Sequence, residues 1–293
     1  MACDIFSSFE ARELLNQKVV YFFGDSNIRA LYKDLLWLLE NGTLIPESRL
    51  KSKNEISHAN DVRLSKGVLH SGRNYQEVRV YCENPYITFQ FITRLFMPRF
   101  IDDIKNLDTI PDVIVMNSCL WDLTRWGTNG VSEFKRNLIK TFDFLKKELP
   151  TTRIIWLTTL PPNFKARGGF LTKEIEFVRN MLPWHILFAN KYASDVAKSF
   201  KIDVLDLHYN FRLLLNYHVK DGIHWNSIAV RHSVNILLTH LALIWNYKLP
   251  VPIMNDVMID AVGTYLHVLE STTKQHQAIL NIMIRFLKGS SYM

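Results

Sequence analysis

Cysteine is scarce in this chain. Cys3, Cys82 and Cys119 are the three in 293 residues, odd in number and far apart, which argues against a disulfide framework and a cysteine-based zinc cluster. Clustered basic charge is also missing. The net charge of +7 comes from 35 Lys and Arg against 28 Asp and Glu, but no run of five or more basic residues occurs, so nucleic acid is not an expected partner. No stretch reaches the eighteen or more uncharged apolar residues of a membrane span; residues 234–247 come nearest and include His240. The first sixteen residues have no basic flank followed by an apolar run, so no signal peptide is expected, and a reducing cytoplasm or nucleus suits the free thiols. Internal repeats and low-complexity segments are absent as well. What remains is 48% apolar and 22% charged residues, ample for a packed core in one large α/β domain.

Short β-branched or aromatic runs at residues 19–23, 112–117, 153–158 and 202–207 alternate with helical patterns. The helices are expected at 28–40, 132–149, 173–199 with a break at Pro183, and 227–247. Such alternation predicts βαβ units and a parallel sheet. Two further strands, 78–82 and 87–95, are close enough across Glu83-Asn84-Pro85 to pair as a hairpin. Residues 41–73 are polar and mixed in charge, and are expected to form a long surface loop. Leu249-Pro250-Val251-Pro252 punctuates the chain, which divides the expectation into a domain at 1–250 and a helical extension at 251–293, available to pack on the core or to dock a protein partner.

The chemistry-bearing residues lie at two distant turns. Gly24-Asp25-Ser26 ends the first strand and opens a helix, while Asp221-Gly222-Ile223-His224 stands in a polar loop before another helix. A serine hydroxyl is a weak nucleophile at neutral pH and requires a histidine within reach, itself oriented by a third group. Ser26 as nucleophile, His224 as base and Asp221 as the orienting acid meet that requirement. The carboxyl ends of parallel strands are where such groups converge. For a developing oxyanion, the candidates are the Ser26 N–H at a helix start, the Asn117 amide and the Gly72 backbone N–H. Each piece alone has a structural reading: Asp25 and Ser26 as helix-capping residues, Asp221-Gly222 as an ordinary turn, Asn117 as a turn residue. Only their conjunction points to catalysis. His208, at a strand's end, is the second candidate base. His218, Asp221 and His224 together could ligate a metal, although the pattern is not a strong site motif. Arg29 could meet an anionic substrate, Cys119 reads as a buried thiol, and Trp121, Trp126 and Trp225 either line a pocket or pack.

Gly24-Asp25-Ser26 with Asp221-x-x-His224 resembles the SGNH, or GDSL-like, hydrolase superfamily. The strings GDSNIRALYKDLLWLL, SGRNYQEVR, DVIVMNSCLWDLTRWG, IDVLDLHYNFR and DGIHWNSIAVRH resemble the PC-esterase domain-containing proteins across residues 10–250. The resemblance implies a flavodoxin-like, three-layer α/β/α sandwich with a mostly parallel central sheet. It also implies Ser26, His224 and Asp221 as catalytic residues, Gly72 and Asn117 as oxyanion donors, and acyl esters of glycans as the substrates of the wider group; the resemblance does not fix this chain's own substrate, which is expected to be a small-molecule, glycan or lipid acyl ester. Asn117 is followed by Ser118, where many superfamily members have aspartate. The expected function is ester hydrolysis through an acyl-enzyme, with no metal or organic cofactor. Acyl transfer by the same residues is the nearest alternative, and an inactive binding module the more distant one.

Overall fold

A computed structural model describes residues 5–53, 55–65, 72–164, 166 and 171–250. The expected helical extension at 251–293 lies outside the described residues. In chain order the elements are α1 (Ser8–Leu14), β1 (Val19–Gly24), α2 (Ser26–Asn41), α3 (Glu47–Lys51), β2 (Val62–Arg63), β3 (Val78–Tyr81), β4 (Tyr86–Phe91), α4 (Pro98–Lys105), β5 (Val113–Asn117), α5 (Cys119–Arg125), α6 (Gly130–Glu148), β6 (Arg153–Leu157), α7 (Leu182–Ser199), β7 (Asp203–Leu205), α8 (Leu207–Phe211) and α9 (Ser227–Ile244). A stretch of 3₁₀-helix, Lys173–Met181, leads into α7, whose first turn holds Pro183 where the missing N–H costs nothing.

The strands form one seven-stranded sheet in the order β2-β3-β4-β1-β5-β6-β7. Pairs β4–β1, β1–β5, β5–β6 and β6–β7 are parallel, whereas β2–β3 and the expected hairpin β3–β4 are antiparallel. Side chains alternate strictly between the two faces. Val20, Phe22, Val113, Val115, Ile155 and Leu157 join one apolar cluster, which α1, α2 and α9 cover. Tyr21, Phe23, Ile114, Met116, Ile154 and Trp156 join the other, under α5, α6 and α7. Strands buried on both faces must be apolar at nearly every position, and the period of two divides them between layers. The result is a three-layer α/β/α sandwich.

Helix α9 is 18 residues long and apolar enough by length and composition to cross a membrane, yet 67% of it is buried inside the domain, where it packs on α2. It is a core helix. Residues 41–65 depart from the expected surface loop. They contribute α3, the short edge strand β2, and three inward side chains, Glu55, His58 and Asp61. Asp61 and Glu77 are fully buried around Arg79, which donates to Glu77 Oε1 at 2.7 Å and to Asp61 Oδ1 at 3.2 Å. Lys33 adds a bond to Glu55 Oε1 at 2.6 Å, and Arg29 one to Glu77 Oε2 at 2.8 Å. Buried charges of opposite sign hold one another because none can be left alone in a low-dielectric interior.

Candidate active site

Strand β1 delivers its last residue, Gly24, into a turn with no room for a side chain. A Cβ there would stand 2.2 Å from Ile28 Cγ1 and 2.7 Å from the Asn117 carbonyl oxygen. Asp25 follows as the N-cap of α2 and accepts a bond from Asn27 N–H at 2.8 Å. Burial raises its carboxyl above the ordinary range, with Asn27, His224 and other neighbours pulling the opposite way. Ser26 is then the first residue of α2, so its N–H has no carbonyl one turn back to bond.

The second turn, in the loop that leads into α9, meets it at the start of α2. Gly222 adopts φ +72°, and a Cβ there would lie 2.8 Å from Asn163 Cβ, so glycine satisfies both conformation and space. Ser26 Oγ lies 2.6 Å from His224 Nε2, and His224 Nδ1 lies 2.7 Å from Asp221 Oδ2. Asp221 Oδ1 accepts from the backbone N–H groups of Ile223 at 2.8 Å and His224 at 2.9 Å. Partial burial disfavours the charged carboxylate, but the imidazole and these two N–H groups outweigh it and hold Asp221 well below the usual range. A permanently ionised carboxylate facing Nδ1 fixes the tautomer with the proton on Nδ1, leaving Nε2 to accept from the serine. The three residues expected to converge are brought together in one hydrogen-bonded line.

Other expectations are redirected. Asn117 ends β5, but its Nδ2 donates to the Leu157 carbonyl at 2.6 Å and to Thr159 Oγ1 at 3.1 Å, while Oδ1 accepts from Cys119 N–H at 3.1 Å. The amide cross-links β5 to the end of β6 and lines a separate small cavity, so it is not an oxyanion donor in this arrangement. Gly72 is exposed and does not line the Ser26 cavity. Its carbonyl accepts from Tyr75 N–H at 3.0 Å, closing a turn that leads Tyr75 into the cavity wall. Of the oxyanion donors named from sequence, the Ser26 N–H is the one that stays at the site.

His208 lies away from Ser26, with Nδ1 2.9 Å from the Thr159 carbonyl oxygen, and lines a cavity with Trp184 and Leu187. His218 turns both ring nitrogens onto carbonyl oxygens, Nδ1 to Leu215 and Nε2 to Pro161, each at 2.9 Å, and its ring lies 4.0 Å from that of Trp225. Those bonds staple the loop carrying Asp221 and His224. Among the described residues no group of three His, Cys, Asp or Glu could hold a metal ion, so the alternative ligand set His218, Asp221 and His224 is not assembled. Cys119 is buried, and burial pushes its thiol up, as befits an inert core residue. Trp225 packs against Phe211 in the core, and Trp126 donates to the Thr93 carbonyl at 2.8 Å.

Beside the serine opens a cavity of about 200 Å³. Phe91, Leu120, Trp121 and Ile223 supply its apolar walls, and Arg29, Lys53 and Arg125 its cations. Arg29 is nearly buried, bonding Tyr75 Oη at 3.1 Å as well as Glu77. Lys53, Tyr75 and Arg125 were not marked by sequence. Each comes from a different segment, and only the tertiary fold makes them neighbours.

The sheet order and layered packing define the class: a three-layer α/β/α sandwich with a mostly parallel central sheet. A solved structure of a peptidoglycan O-acetylesterase superposes with TM-score 0.50 at 9% identity, covering 82% of this chain and 96% of that one. No family model matches the chain. PC-esterase domain-containing protein 1A of Mus musculus is 35% identical over 254 residues, 84% of this chain and 57% of the relative. PC-esterase domain-containing protein 1B of Homo sapiens is 33% identical over 254 residues, 82% of this chain and 58% of the relative. The chain belongs to the PC-esterase domain-containing proteins, and it spans 57% of the length of the first of these curated relatives.

Proposed function

We propose that this protein is a serine esterase. The carrying observation is the continuous chain from Ser26 Oγ through His224 Nε2 at 2.6 Å and His224 Nδ1 to Asp221 Oδ2 at 2.7 Å. In the proposed reaction, Ser26 Oγ attacks an ester carbonyl in the adjoining cavity as His224 Nε2 takes the hydroxyl proton. The tetrahedral oxyanion is met by the Ser26 N–H and the positive end of α2. Collapse releases the alcohol, to which His224 returns the proton, and leaves an acyl-Ser26 ester. Water, deprotonated in turn by His224, hydrolyses that ester to the free acid. Asp221 keeps the imidazole in the productive tautomer and stabilises the imidazolium formed in both halves.

The name shared by the relatives supports an ester as substrate, and the cavity beside Ser26 supports an acyl or alcohol portion of modest size. Hydrolysis of phenyl acetate by the purified chain tests the proposal. Wild type is expected to release phenol, and Ser26→Ala and His224→Ala to fall to background. Equal rates for all three proteins would refute it.

A further inference from the structure

The cavity next to Ser26 is asymmetric in charge. Among the described residues that line it, three are cations, Arg29, Lys53 and Arg125, and none is a carboxylate. The buried Glu77 neutralises Arg29, at 2.8 Å. For Lys53 and Arg125 no carboxylate lies within ion-pair distance among the described residues. The Arg125 guanidinium lies over the Trp121 ring, 5.0 Å from its centroid. It is partly buried, and burial alone works against its charge. A guanidinium held at the edge of an apolar wall, short of hydrogen-bond acceptors, calls for an anion. Ser26 brings the positive end of α2 to the same cavity.

We infer that the Ser26 cavity selects esters that carry a negative charge, with Arg125 and Lys53 as the side chains that read it. The substrate class is an acyl ester bearing a carboxylate, phosphate or sulfate a few bonds from the scissile carbonyl, its carbon portion packed on Phe91, Leu120 and Trp121. This inference rests on the esterase reading for the reaction, but the anion site itself does not require turnover.

Two matched ester pairs test it and locate the charge. Phenyl acetate against 4-acetoxybenzoate places the charge on the alcohol side, and phenyl hexanoate against monophenyl adipate places it on the acyl side. In at least one pair the anionic member is expected to show kcat/KM about tenfold or more above its neutral isostere, as a charge-assisted hydrogen bond would give. The double variant Arg125→Gln/Lys53→Gln is expected to cut that ratio about tenfold. Ratios near one in both pairs, or a ratio the double variant leaves unchanged, would overturn the inference while phenol release from the neutral esters still upheld the esterase. Calorimetry with phenylphosphonate and the Ser26→Ala protein reads the site without catalysis. Binding is expected, with loss on adding Arg125→Gln. Absence of binding, or binding indifferent to Arg125, would count against it.

Discussion

Ser26 would be an unremarkable helix-start hydroxyl without the imidazole 2.6 Å away, and His224 would be free to rotate without Asp221. The three do not contribute equally. Replacing the orienting acid leaves nucleophile and base in place, so Asp221→Asn is expected to retain roughly a hundredfold more kcat than Ser26→Ala, read from phenyl acetate turnover. These roles were legible because short strings in sequence already carry the right chemistry at strand and helix ends. Asn117 was not, because the same polar amide serves an oxyanion or a buried carbonyl equally well, and only the position of Leu157 decides. Asp122 shows what burial does to a carboxyl. Desolvation, offset in part by the Ser118 hydroxyl and Leu95 N–H, raises it from an ordinary 3.8 to about 7. The folded protein therefore keeps this proton to higher pH than the unfolded chain does. Its stabilising effect is complete below about 3.8 and is lost as pH rises through about 7. Thermal unfolding of Asp122→Asn should vary less with pH across that window than wild type, and parallel profiles would contradict this.

Two turns between elements position the site. At the β1–α2 turn the close approach of Ile28 and the Asn117 carbonyl demands glycine at position 24. Because one obstacle is backbone, Gly24→Ala is expected to destabilise the fold by about 3 kcal/mol or more and to shift Ser26, measurable by urea unfolding together with activity. The loop from the 3₁₀ turn Leu215–Tyr217 to α9 is held by Val219 N–H on the His224 carbonyl at 2.9 Å and by the His218 staple. The parallel strands and long helices were readable as periodic patterns. Helix α5 was not, since seven residues, CLWDLTR, offer less than two turns of periodicity directly after a strand. Yet α5 ends in Arg125 and carries Leu120 and Trp121, three residues of the cavity wall. The contribution of Leu120 and Arg125 to the pocket was hidden for that reason.

At the scale of the described domain, sequence patterns led to the layered sheet because burial on both faces leaves a plain apolar signature. The charged network beneath the cavity left no such mark: Lys33, Glu55, Asp61, Glu77 and Arg79 look like surface residues until the 41–65 segment folds over them. This network fixes Arg29 and Tyr75, and through them one wall of the site. Arg79→Leu leaves the buried Asp61 without its cation and Glu77 with Arg29 alone, and a loss of about 3–5 kcal/mol in urea unfolding is expected. A change under about 1 kcal/mol would mean that the network is not needed for folding. The most direct measurement of all concerns the nucleophile. Incubation with a fluorophosphonate probe, followed by mass spectrometry of the digested protein, should place the adduct on Ser26 in wild type and yield none in His224→Ala. An adduct elsewhere, or equal labelling of both proteins, would contradict an activated serine at this site.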